Sequence, residues 1–167
     1  MLSAETASGD FPLESVKTMA RIIVRTEQYI QEFPVDSTVD RYRHLAQNAT
    51  TAVTAAAAQA TRSLDVSAIV AFTHSGATAV AVSRLRPSVP IYALTPFENI
   101  RRRLSIVWGI IPAITKAMKH TDDMPRLSKV ILEKVGLWKS KSHIVILSGT
   151  PVARPGSTNL MKVHTIE

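Results

Sequence analysis

From Ser67 to its end, the chain alternates short apolar runs with segments of helical periodicity. That alternation narrows the fold most, because parallel strands need a crossover connection and a helix is the usual one. Ala68-Ile69-Val70-Ala71-Phe72 is continuously apolar, as expected for a strand covered on both faces. Thr73-His74-Ser75-Gly76 reads as a turn, and Ala77 to Leu85 as a helix. Pro90 to Leu94 forms a second strand, and Thr95-Pro96 opens a helix through Glu98 to about Val107. Gly109 to Ile114 is a third strand. A helix from about Met124 to Val135 is closed by Gly136. Ser142 to Leu147 is a fourth strand, and the alternating stretch Leu160 to Ile166 a fifth. The expectation is an α/β fold, three-layer α/β/α. Its five-stranded sheet is mostly parallel, with the last strand the candidate for antiparallel pairing.

Two helices precede this unit. Phe11-Pro12-Leu13-Glu14 opens the first, with Pro12 at the first helical position and Glu14 in the first turn. Leu13, Val16, Ala20, Ile23 and Ile30 give it one apolar face, and Pro34 ends it near Phe33. Residues 35–40 are a connector. A second helix is expected from about Tyr42 through Thr61, with the good helix formers Ala55 to Ala58 at its centre.

At 167 residues the chain has the size of about one domain. Aromatic residues are only 5%, so the core must be aliphatic. No cysteine is present, which removes disulfides, thiolate metal sites and a cysteine nucleophile, and fits a reducing compartment. The longest apolar run, Ile106 to Ile114, is far short of the ~20 residues that span a bilayer, so no membrane partner is expected. The start, Met1-Leu2-Ser3-Ala4-Glu5-Thr6, has neither the cationic nor the apolar region of a secretory leader. Lys plus Arg outnumber Asp plus Glu by 20 to 13, a net charge of +7 that attracts polyanions. Nucleic acid is not the expected partner, because no stacking platform or recognised motif accompanies the charge.

In an open α/β sheet, ligands bind beyond the carboxyl ends of the strands. Thr73-His74-Ser75-Gly76-Ala77-Thr78 occupies that place, with a glycine for the tight turn and hydroxyls at Thr73, Ser75 and Thr78. Two readings stay open: a cradle for phosphate, or a helix cap supplied by Ser75 and Thr78. Gly149 to Thr158 also follows a strand. There Arg154 can reach a phosphate bidentately, yet Gly156-Ser157-Thr158 lacks the lysine of a Walker A loop. A plain wide turn is the alternative. Arg101-Arg102-Arg103 lie on one helix and point in different directions, which suits a solvated or interface role. The histidines at 44, 74, 120, 143 and 164 show no ligand spacing, and no metal site is expected. Neither a GxGxxG loop nor a Ser/His/Asp set is suggested.

Several segments resemble one family. MLSAETASGDFPLE, residues 1–14, resembles the pyruvate kinase segment MLSGETAKGDYPLEAV. AIVAFTHSGATAVAVSR, residues 68–84, resembles IVVLTKSGRSAxxVSR. PSVPIYALT, residues 87–95, resembles RPxxPIIAVT, and VWGIIP, residues 107–112, resembles xWGVxP. GSTNLMKV, residues 156–163, is similar to the closing GxTNxMRV. The matches run in family order and reach both ends of the chain.

The resemblance implies a glycolytic, cytoplasmic phosphotransferase that passes a phosphoryl group from phosphoenolpyruvate to ADP with Mg²⁺ and K⁺. In the family those catalytic and metal residues lie in a (β/α)₈ barrel. Residues 1–33 would be the end of that barrel, with Ser3, Glu5 and Thr6 near its mouth. Residues 34–167 would be the C-terminal α/β domain. No catalytic residue, metal or cofactor is therefore expected in this chain, which is expected to be inactive alone. The implied roles are regulation and homo-oligomerisation, with the catalytic barrel and a sugar phosphate or nucleotide monophosphate effector as partners. The effector residues carried over are Thr73, His74, Ser75, Gly76, Ala77 and Thr78, with Arg154 and Gly156 from the closing loop. His74 stands where the family has lysine and Ala77 where it has arginine, so two fixed positive charges are lost. The alternative function is a free-standing module of the same fold that binds a phosphorylated metabolite.

Overall fold

The computed structural model describes residues 2–32, 48–118, 120–151 and 158–167. The chain divides into two compact units, residues 1–39 and 40–167. The first contains α1 (Ala4–Ala7) and α2 (Pro12–Glu32). The single turn α1 is not anticipated by any apolar periodicity. It is closed locally, with the Thr6 and Ala7 amides donating to the Ser3 carbonyl and the Ser8 and Gly9 amides to that of Ala4. A Cβ on Gly9 would stand 2.9 Å from the Glu5 carbonyl oxygen, so glycine is needed for the chain to leave this turn. In α2 the Ser15 hydroxyl and amide both donate to the Phe11 carbonyl. Leu13, Val16, Ile23 and Ile30, the stripe expected from the spacing, are exposed.

The second unit holds α3 (Ala49–Ser63), β1 (Val66–Phe72), α4 (Ala77–Ser83), β2 (Ile91–Thr95), α5 (Glu98–Leu104), β3 (Ile110–Ile114), α6 (Asp123–Lys134), β4 (His143–Ser148) and β5 (Leu160–Thr165). The strands form one sheet in the order β3-β2-β1-β4-β5. Its first three pairings are parallel and β4–β5 is antiparallel. One face of the sheet buries Ile69, Ala71, Ile91, Ala93, Val145 and Leu147 against Ala57 of α3, Ala79 and Val82 of α4 and Leu104 of α5. The other face buries Val70, Tyr92, Leu94, Ile144 and Ile146 against Met124 and Leu132 of α6. This is the three-layer arrangement expected from the alternation, with an aliphatic core.

Three boundaries differ from expectation, each for a local reason. Asn48 is extended (φ −154°, ψ 168°) and forms a reciprocal cap with Thr51, so α3 starts at Ala49 and does not run unbroken from Tyr42. The lead-in at 42–47 lies outside the described residues. Helix α5 stops at Leu104 because the Ser105 amide donates to Arg102 and the chain tightens toward Gly109, whose φ is +69°. Helix α4 stops at Ser83, followed by Arg86 at φ +50°. On the edge strand β3, residues 109 and 115 bond toward β2, so Pro112 faces the open side and its missing N–H costs no ladder bond.

Candidate functional site: a cleft beyond the strand ends

Going outward from β1, one direction leads to β2 and β3 and the other to β4. Such a switch point leaves a crevice between the loops that follow the two diverging strands. A cleft of about 580 Å³ opens there. Thr73, His74 and Ser75 line it after β1, Lys116 after β3, and Ser148 and Gly149 at the end of β4. Helix α3 contributes Thr50 and Thr51, α4 contributes Ala77 and Thr78, and Arg84 joins them from the position just after α4. The lining is rich in hydroxyls and holds two cations, Arg84 and Lys116. Among the described residues that line it there is no carboxylate.

The 73–78 loop is built by its own side chains. The Thr73 hydroxyl accepts the Gly76 amide at 2.8 Å, which closes the turn. Gly76 has φ +87°, a conformation that favours glycine, and a Cβ there would crowd Leu104 Cδ2 at 3.1 Å. The Ser75 hydroxyl accepts the Ala77 amide at 3.4 Å, the long end of the range. Thr78 and Thr158 share a hydroxyl–hydroxyl bond of 2.6 Å, and the Thr158 amide donates to the Thr50 hydroxyl at 3.2 Å. The half-buried His74 ring lies 5.7 Å from the Phe97 ring.

Of the residues singled out from the sequence, Thr73, His74, Ser75, Ala77 and Thr78 therefore meet in one cleft, while Gly76 shapes the turn behind it. Arg154 and Gly156 lie outside the described residues, but both ends of their loop, Gly149 and Thr158, reach the same cleft. Asn159 ties those ends together. Its side chain accepts from the Thr150 amide at 2.7 Å and donates to the Thr150 carbonyl at 2.7 Å.

Sequence reasoning missed Arg84, Lys116, Thr50 and Asn159. Arg84 was within reach of it, since 77, 81 and 84 share a helical face. Lys116 follows a strand end, the place the switch-point rule indicates. The three consecutive arginines separate as their helical positions dictate. Arg101 and Arg102 both pair with Glu98, at 2.6 and 3.1 Å, and their hydrogen bonds hold its carboxyl down to about 2. Arg103 turns the other way and donates to the Ser75 carbonyl. Among the described residues, no group of three or more His, Asp or Glu is placed to hold a metal ion. No helix among them is long and apolar enough to cross a membrane.

Fold and cleft together define an α/β domain with a hydroxyl-rich crevice at the carboxyl ends of its strands. The family model described as "Pyruvate kinase, alpha/beta domain" matches residues 51–164. The chain belongs to that family. It is 41% identical over 166 residues to the pyruvate kinase of Geobacillus stearothermophilus, covering 99% of this chain and 28% of that protein. It is 36% identical over 167 residues to that of Lactococcus lactis, covering 100% of this chain and 32% of the relative. The chain thus spans about a third or less of the length of these relatives. A crystal structure of a pyruvate kinase from Cryptosporidium parvum shares the fold, with a TM-score of 0.74 at 24% identity over 100% of this chain and 32% of that one.

Proposed function

We propose that the chain is the regulatory and assembly portion of a cytoplasmic pyruvate kinase and binds a phosphate-bearing metabolite in the 73–78 cleft. In this reading residues 1–33 belong to the end of the catalytic barrel, which supplies the phosphoryl-transfer residues and the Mg²⁺ and K⁺ sites. The observation that carries the reading is the composition of the cleft: hydroxyls at Thr50, Ser75 and Thr78, cations at Arg84 and Lys116, and no lining carboxylate among the described residues. Hydroxyls and cations together suit a polyhydroxylated phosphate ester. With His74 and Ala77 in place of lysine and arginine, affinity is modest.

Calorimetric titration with fructose 1,6-bisphosphate, glucose 6-phosphate, ribose 5-phosphate and AMP tests this. At least one is expected to bind. Ser75→Glu, which puts a bulky anion into the cradle, is expected to abolish the heat. Absence of binding by the wild-type chain to all four, or equal binding by the variant, would reduce the loop to a helix cap.

A further inference from the structure

We propose that Arg103, on α5 and outside the cleft lining, is the positioning residue that sets the 73–78 loop for its ligand. The peptide unit between Ser75 and Gly76 is planar, so the direction of its carbonyl fixes the direction of its N–H. Both ends of this unit are held. The Arg103 guanidinium donates to the Ser75 carbonyl, and the Thr73 hydroxyl accepts the Gly76 amide on the other side. Gly76 needs this, because at φ +87° a glycine has several alternative conformations of similar energy. Helix α5 is itself anchored beside the loop, since Leu104 is buried in the cluster that holds Ala79 and Val82 of α4. Arg103 Nη2 lies 3.4 Å from the position of a Cβ on Gly76, so its charge sits against the turn. The neighbouring arginines do different work, because both are committed to Glu98 on their own helix.

Arg103 therefore places a fixed positive charge, from another element, beside a loop whose own positions 74 and 77 carry none. Holding the loop in its binding shape before the ligand arrives removes an ordering cost from binding. The inference rests on the phosphate reading of the cleft, and the experiment separates the two.

Amide hydrogen exchange of the full chain, without ligand, is compared for wild type, Arg103→Ala, Arg103→Lys and Arg101→Ala, alongside titration with fructose 1,6-bisphosphate. Arg103→Ala is expected to speed exchange at Gly76 and Ala77 and to weaken binding by about tenfold, the scale of a lost charge-assisted hydrogen bond. Arg103→Lys should recover part of both effects, and Arg101→Ala should change neither. If Arg103→Ala does not fold, Arg103→Gln keeps much of the stem without the charge and is expected to give the same two changes. Wild-type exchange at Gly76 and Ala77 in a folded Arg103 variant overturns the proposal. So does faster exchange with unaltered affinity, which would leave Arg103 as a staple with no bearing on the ligand. If the wild-type chain takes up no phosphate ester, the phosphate reading falls while the exchange measurement still decides whether Arg103 sets the loop.

Discussion

At the residue scale, His164 carries a pH dependence of stability below neutrality. Burial, and next the charge of Lys162, holds its imidazole below the ordinary histidine value of 6.5, against a smaller pull from Glu167. The Trp138 ring packs 5.7 Å from it. A histidine depressed in the folded state is protonated first in the unfolded chain as pH falls. Its contribution to stability is therefore complete above about 6.5 and declines as pH falls from there to the folded value, below which it is level. Urea midpoints at pH 7.5 and 5.5 should show a drop that His164→Gln reduces; an undiminished drop in that variant assigns the effect elsewhere. The cleft residues Thr73, Ser75 and Thr78 were legible in the sequence because they are adjacent in the chain and follow a strand. Arg103 and Asn159 were not, because each acts on a partner whose proximity exists only in the folded chain. The segment containing Asn159 was visible as a motif, but its grip on Thr150 was not.

At the scale of elements, the five strands were readable because a buried parallel strand is apolar without interruption, as in Ala68 to Phe72. The antiparallel return of β5 was readable as a possibility from its alternating pattern. Helix ends were less legible. The sequence has a helical composition on both sides of Asn48, yet the side-chain cap that Asn48 makes with Thr51 decides where the alanine-rich α3 starts. The sheet has two outer strands, β3 and β5. Pro112 removes a donor from the open side of β3, whereas β5 contains no proline and can accept another strand. Self-association is accordingly expected, and sedimentation at micromolar concentration should show a species larger than a monomer. A clean monomer at high concentration would count against the assembly role.

At the scale of the molecule, the two units have separate duties in the proposed enzyme. Residues 40–167 carry their own core on both faces of a sheet, which is what a regulatory domain needs. The exposed apolar stripe of α2 is a face that the rest of the proposed barrel would cover. A polypeptide of these 167 residues should give no pyruvate kinase turnover in a coupled assay with phosphoenolpyruvate, ADP, Mg²⁺ and K⁺. Turnover clearly above a mock purification would contradict the division of labour. That the sequence revealed the family but not its ligand follows from where each is written. Segments spread over the whole chain carry the fold, whereas ligand choice rests on a few side chains, two of which depart from the family pattern at His74 and Ala77. The most direct test of the central claim is amide chemical-shift mapping during titration with fructose 1,6-bisphosphate. The account predicts the largest shifts at Ser75, Ala77 and Thr78, with smaller ones at Thr50 and Lys116; no shifts, or shifts confined to residues outside this cleft, would contradict it.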